Sequence, residues 1–217
     1  MNNYFVILAA GKSKRFDKKT LKQFYNYKNK ELIDHSIEKA LNSKLFKKII
    51  IVTNNFNHLK KKRYSSQISV IKGGKERSDS SLKALKYLKK YKPLNVFIHD
   101  AARPNFSIKL LKNIFKNLKK YKAVVPTITS RDSIKYKIKK QIFNLNKNNS
   151  ILTQTPQAFR FKELFNLACR EKKKISDEST LFLNQNYKVK FISGENQNSK
   201  ITYLDDIKTS KTYFGIG

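Results

Sequence analysis

Tryptophan is missing from this chain, cysteine occurs once, and only 6 glycines and 4 prolines are spread over 217 residues. A lone cysteine, Cys169, excludes an internal disulfide framework. So little glycine and proline excludes a collagen-like or low-complexity chain. No stretch approaches the roughly 18 apolar residues of a membrane span. Acidic residues are also scarce: Asp and Glu total 15 against 48 Lys and Arg, a formal net charge of +33. Neither a Ser/His/Asp or Cys/His arrangement nor a histidine–cysteine metal cluster is apparent, which sets aside the common triad and zinc chemistries.

What the chain has suffices for a core. Apolar residues make up 39% and aromatics 12%, which argues against disorder despite the charge. The length suits one domain, 1–217. The N-terminal residues lead directly into a strand without a signal-peptide apolar region, so a cytoplasmic location is expected. Cys169 follows Leu164, Phe165 and Ala168 on an expected helix and reads as a core position. A nucleic-acid-binding protein would gather its basic residues with aromatics on one face. Here lysines occur on every expected element and arginine is sparse. Abundant Lys, Asn, Ile, Phe and Tyr without Trp is what AT-rich codons supply, so the charge reads as compositional, attracting anions without specificity.

The chain is organised around residues 5–15, FVILAAGKSKR, continued by Leu21-Lys22-Gln23. Positions 5–8 are continuously apolar, as in a strand covered on both faces. Ala9, Ala10 and Gly11 then remove side-chain bulk, and Lys12, Lys14, Arg15 and Lys22 follow with only Asp17 to offset them. A Walker A loop would need glycine where Val6 stands. A small-residue loop with fixed cations at a strand's carboxyl end suits a polyphosphate.

Further strands are expected over 48–53, 69–72, 95–99, 123–128 and 187–192. Helices are expected over 31–42, 81–90, 107–118, 162–172 and 177–184, the last capped by Ser176, and a terminal helix begins near Asp205. Strand and helix alternate until Thr129, which predicts a covered, largely parallel sheet. Residues 134–138 and 142–145 alternate apolar with polar and predict an exposed hairpin arm within 130–155. Loops at 73–80, at 100–104 and around Lys200 join the first loop at strand ends. Asp100 is a natural Mg²⁺ ligand there, unless it pairs with Arg103. His99 reads as a packing residue, and His35 and His58 as surface residues without partners.

LAAG with Arg15 and Lys22-Gln23, then GGKERSDS at 73–80, HDAARP at 99–104, Thr155-Pro156-Gln157, Asp177-Glu178 and Lys200-Ile201-Thr202 occur in one familiar order. Over essentially its whole length the chain resembles the 2-C-methyl-D-erythritol 4-phosphate cytidylyltransferases of the non-mevalonate isoprenoid pathway. The resemblance implies a three-layer α/β/α Rossmann-like nucleotidyltransferase body and a homodimer formed through the hairpin arm. It implies reaction of CTP with methylerythritol 4-phosphate and Mg²⁺, giving the CDP-linked alcohol and pyrophosphate. By that resemblance Arg15 and Lys22 are catalytic. Ala9, Ala10, Gly11, Gly74, Lys75, Ser80 and Asp100 bind the nucleotide. Lys147, Lys200, Arg103 and Ser133 serve the substrate, and Asp100 serves the metal. Ser13 stands where the family often has a second glycine. Lys147 stands where the arm's arginine is expected, keeping the charge but losing the bidentate fork. From its length, no fused cyclodiphosphate synthase domain of the kind some relatives carry is expected. A ribitol 5-phosphate cytidylyltransferase is the nearest alternative, although Ala101-Ala102 after Asp100 looks like the methylerythritol branch.

Overall fold

Alternate residues of the first strand, β1 (Asn3–Leu8), feed two different cores, and the rest of the architecture follows from that. A computed structural model of the chain describes residues 2–17, 20–60, 62, 64–130 and 132–212. After β1 come a short ribbon, β2 (Asn26–Tyr27) and β3 (Lys30–Glu31), then α1 (Leu32–Asn42), β4 (Lys48–Thr53), α2 (Phe56–Lys60) and β5 (Ile68–Lys72). The chain continues through α3 (Arg77–Leu88), β6 (Asn95–Asp100), α4 (Ile108–Leu118) and β7 (Ala123–Ile128). Next are β8 (Ile134–Ile138), β9 (Gln141–Leu145), β10 (Leu152–Thr153), β11 (Gln157–Arg160), α5 (Phe161–Arg170), α6 (Ser179–Leu183), β12 (Val189–Ser193) and α7 (Asp206–Thr212).

The main sheet runs β7-β11-β6-β1-β4-β5, with β12 beside β7 and β10 also paired to β7. The β1, β4, β5 and β6 neighbours are parallel, and β12 is parallel to β7. Antiparallel β11 sits between β6 and β7. It escapes a periodicity reading because four residues, QAFR, follow Pro156 and run straight into α5. Phe5 and Ile7 face α1 and α4, packing with Ile33, Ile37, Leu111 and Ile114. Tyr4 and Val6 face the opposite layer, with Leu85 and Leu88 of α3, Leu164 of α5 and Phe182 of α6. Each such fully buried side chain stabilises the fold by about 1.5–3 kcal/mol. A third cluster joins Phe16, Tyr27, Leu32, Ile201 and Ile207, clamping the first loop to the C-terminal segment. The result is an α/β/α body with a mostly parallel sheet.

Local expectations need correction at several points. The 81–90 helix begins earlier, at Arg77, where Glu76 and Asp79 exchange side-chain and backbone bonds in a capping box. Asp177, not Ser176, caps α6: its carboxylate accepts from the amides of Ser179 and Thr180 at 3.0 and 3.4 Å. Cys169 is exposed. It lies five residues past buried Leu164, about 140° around the helix and off the core stripe. His35 and His58 both have partners, the Tyr27 carbonyl and the Glu31 carboxylate, each at 2.6 Å.

β8 and β9 form a separate two-stranded sheet pairing Ile134 with Leu145 and Tyr136 with Phe143. The Tyr136 and Phe143 rings stack at 5.1 Å, yet both residues remain exposed. Among the described residues, no helix is long and apolar enough to cross a membrane.

Candidate functional site

At its carboxyl end β1 loses side-chain bulk, and the neighbouring strands stop at the same level. Ala9 N–H still donates to Val52 of β4 at 2.8 Å, and Ala101 N–H donates to Leu8 at 3.1 Å. Gly73 N–H reaches Thr53 at 3.1 Å. The loops after β1, β5 and β6 therefore converge, where ligands bind in open α/β sheets. Between them is a cavity of about 460 Å³.

The glycines of the second loop are set by space. A Cβ on Gly73 would stand 2.4 Å from Ala10 Cβ, and one on Gly74 would stand 2.2 Å from Asp79 Cβ. A larger residue at 73 would push the two loops apart, and one at 74 would collide with the first turn of α3. Ser80, which is buried, accepts from Gly74 N–H and donates to the Glu76 carbonyl, both at 3.0 Å. Its hydroxyl thus shapes the loop that it helps to line.

Asp100, at the last position of β6, is the centre of charge. One carboxylate oxygen accepts from Arg77 Nε at 3.0 Å and the other from Lys200 Nζ at 2.7 Å. Burial opposes its ionisation, but the Arg77 guanidinium and Lys200 ammonium hold the carboxyl well below the usual carboxylate range. Arg77 also makes a bidentate pair with Glu178, at 2.9 and 3.0 Å. Glu178 is 1% exposed, so this pair is anchored inside the protein. Asp100 therefore pairs with Arg77 and Lys200 and not with Arg103. The Arg103 guanidinium donates to the carbonyls of Asn198 and Thr153, at 2.8 and 3.4 Å, behind the cavity.

His99, beside Asp100, is fully buried between the Ser36 and Thr155 hydroxyls at 3.2 and 3.1 Å. Burial pushes the imidazole down to about 3, so it stays neutral and packs. Lys22 donates to the Ile201 carbonyl at 3.1 Å. Burial, followed by the nearby Lys200 ammonium, pushes Lys22 down to about 8. An ammonium so placed gains from any anion that enters.

The structure brings Ala9, Ala10, Gly11, Lys22, Gly74, Lys75, Ser80, Asp100 and Lys200 to the lining of this one cavity. Arg15 lies on the same loop but is exposed, its guanidinium 5.9 Å from the Tyr203 ring. Lys147 and Ser133 lie beside the hairpin, away from this lining. Lys147 is exposed, and Ser133 accepts from Lys135 at 3.0 Å. Sequence reasoning missed Arg77 and the structural use of Glu178. Only the fold unites positions 77, 100, 178 and 200. The available signal was a carboxylate and an arginine in motif blocks already singled out.

The lining gathers Lys12, Lys14, Lys22, Lys75, Arg77 and Lys200 around one cavity at the strand ends, cations suited to a polyphosphate. With the α/β/α body, that is the arrangement of the nucleotidyltransferase class of fold. The model of the 2-C-methyl-D-erythritol 4-phosphate cytidylyltransferase family matches residues 4–215, and the chain belongs to that family. It is 45% identical over 219 residues to a bifunctional IspD/IspF enzyme of Pelagibacter ubique, covering all of this chain and 59% of that protein. It is 34% identical to the 2-C-methyl-D-erythritol 4-phosphate cytidylyltransferase of Thermosipho melanesiensis, over 94% of each chain. The crystal structure of the Francisella tularensis cytidylyltransferase superposes with a TM-score of 0.84 at 27% identity, over 98% of this chain and 99% of that one. The bifunctional IspDF structure from Campylobacter jejuni gives the same TM-score at 28% identity, over 96% of this chain and 54% of that one. The chain thus spans little more than half of these two bifunctional relatives.

Proposed function

We propose that the cavity transfers the cytidylyl group of CTP to 2-C-methyl-D-erythritol 4-phosphate. The single observation that carries the reading is the union of the small-residue cationic loop with the Arg77–Asp100–Lys200 cluster around one cavity. Cations on two sides of a polyphosphate supply positioning and charge neutralisation, the main sources of catalysis in phosphoryl-type transfer.

In this account the methylerythritol phosphate oxygen attacks the α-phosphorus of CTP in line. A new P–O bond forms, the bond between the α-phosphorus and the bridging oxygen breaks, and pyrophosphate leaves with that electron pair. No general base is needed, because the attacking phosphate is already an anion. Lys22 and Arg15, from the same loop, stabilise the charge that develops on the α-phosphate. Ala9, Ala10 and Gly11 allow close backbone approach. Gly74, Lys75 and the loop shaped by Ser80 hold the cytosine. Lys200 touches phosphate, and Arg103 braces the loop after Asp100.

Asp100 also fits a Mg²⁺ site. Mg²⁺ commonly takes one or two protein carboxylates and completes its shell with substrate phosphates and water. The Asp100 carboxylate keeps acceptor capacity beyond its bonds to Arg77 and Lys200. Among the described residues no group of three or more His, Cys, Asp or Glu side chains that could hold a metal ion occurs. The ion would add charge neutralisation on the triphosphate.

The reading includes a homodimer built through the arm within 130–155. On one face of the hairpin, Ile134, Tyr136, Ile138, Phe143 and Leu145 stand together, and four of them are exposed. A lone two-stranded hairpin is marginal in water and gains from covering such a face. Lys147 and Ser133 of one subunit then complete the cavity of the other. The enzyme is cytoplasmic in this account. Pyrophosphate release measured with each of the four nucleotides and both sugar phosphates tests the reading. CTP with methylerythritol 4-phosphate should turn over fastest. Equal or faster turnover with ribitol 5-phosphate moves the chain to the sister activity.

A further inference from the structure

Ser13 holds a backbone conformation that suits glycine, with φ at 53°. For a residue with a Cβ this left-handed geometry costs about 1–2 kcal/mol. Such strain persists only where surrounding bonds over-determine it. Here they do: the Ser13 hydroxyl donates to Gln23 Oε1 at 3.1 Å and accepts from the Lys22 N–H at 3.0 Å. Gln23 is 3% exposed, and its Nε2 donates to the carbonyls of Ala9 and Gly11, at 3.0 and 3.1 Å. The amide cannot be flipped, because its oxygen would then oppose two carbonyl oxygens.

The network has a direct consequence for the backbone. Across a trans peptide the N–H points opposite to the preceding C=O. Drawing the Ala9 and Gly11 carbonyls to Gln23 therefore turns the Ala10 and Lys12 N–H groups away from Gln23. Ala10, Gly11 and Lys12 all line the cavity.

We propose that Ser13 is a positioning residue, whose hydroxyl fixes the main chain of Lys22 and the Gln23 amide so that Lys22 and the 9–12 backbone face the transferred phosphoryl group together. The inference rests on the cytidylyltransferase reading of the cavity. A glycine at this position would relax the backbone but could not make either bond. The serine accepts strain in exchange for a tie between position 13 and positions 22 and 23.

Ser13→Gly and Ser13→Ala separate the two effects. Both remove the hydroxyl, and only glycine removes the strain. Each would be purified, checked by thermal melting, and assayed with CTP, Mg²⁺ and methylerythritol 4-phosphate. The Lys22 Nζ titration would be followed by NMR with Lys22→Arg as the assignment control. In Ser13→Gly, kcat should fall about tenfold or more, the scale for a misplaced group near the chemistry. KM for CTP should stay within about twofold, the mark of lost transition-state stabilisation. The Lys22 titration should move up from about 8 toward an ordinary lysine, as a loosened side chain regains water. Ser13→Ala should be at least as impaired. A Ser13→Gly enzyme with wild-type kcat, or with a change confined to KM, overturns the inference. An inactive wild-type enzyme instead sinks the cytidylyltransferase reading, while the Lys22 titration still reports on the tie.

Discussion

Lys22 and Ile201 stand 179 positions apart, yet the lysine ammonium donates to the isoleucine carbonyl at 3.1 Å. Ile201 and Phe16 of the first loop are buried in the same cluster, so the cationic loop and the C-terminal segment are packed as one unit. This contact places Lys22 near Lys200, and burial first, then the Lys200 ammonium, lower the lysine's affinity for a proton before any substrate arrives.

The first prediction follows from that lowering. With Lys22 brought to about 8 by burial and then by Lys200, the free enzyme at pH 8 carries the lysine partly neutral. A bound polyphosphate favours the charged form and raises its pKa, so binding should take up about half a proton at that pH. Calorimetric titration with CTP in buffers of different ionisation enthalpy measures the uptake. Lys22→Arg should abolish it, and uptake unchanged in that variant would assign the proton elsewhere.

Glu178 anchors Arg77, which in turn holds Asp100. Glu178→Gln should leave the guanidinium undercompensated and displace Asp100. The expected loss in kcat/KM is about 10–100-fold, the usual scale for residues that orient a site's own ligands. Stability should fall by about 3 kcal/mol, since one partner of an interior ion pair is gone. Denaturant unfolding beside kinetics checks both, and an unchanged kcat/KM would remove Glu178 from the site.

The central sheet and the strand-end loops could be read from the sequence because their signals are local. Residues 5–8 are an unbroken apolar run, and Ala9-Ala10-Gly11 marks where it stops. Arg77 was not legible as the bridge between Asp100 and Glu178, because only the tertiary fold joins positions 77, 100 and 178. β11 was too short to show a period, and Cys169 was misplaced by about 140° of helical phase. Ser13 was legible as a departure from a glycine. Its bonds to Lys22 and Gln23 were not.

Lys39 lies beneath the loop after Asp100, donating to the Pro104 carbonyl, with its ammonium 5.4 Å from the Phe106 ring. Burial pushes it down to about 8, below the 10.5 of an unfolded lysine. Between those values the unfolded chain binds more protons, so this group's contribution to stability rises with pH. Wild-type stability relative to Lys39→Met should therefore climb from about pH 8 toward about 10.5. A flat difference across that window would mean that Lys39 is not buried in solution.

If the arm completes the neighbouring subunit's cavity, defects in body and arm should complement. Lys22→Ala and Lys147→Ala homodimers should each be nearly inactive. Co-refolded heterodimers carry both defects in one site and neither in the other, so activity should return toward one working site per dimer. Verified heterodimers as inactive as their parents would show that Lys147 serves its own chain or does not matter.

The central claim is that one cavity joins CTP to a methylerythritol phosphate, and phosphorus NMR of the complete reaction tests it most directly. The wild-type enzyme with Mg²⁺ should produce a diphosphate diester and pyrophosphate in equal amounts. Neither should form without methylerythritol 4-phosphate, and Asp100→Asn should slow both by about a hundredfold or more, the scale for losing one preorganised electrostatic contact. Pyrophosphate without the diester, or a diester formed equally well from ribitol 5-phosphate, would contradict the account.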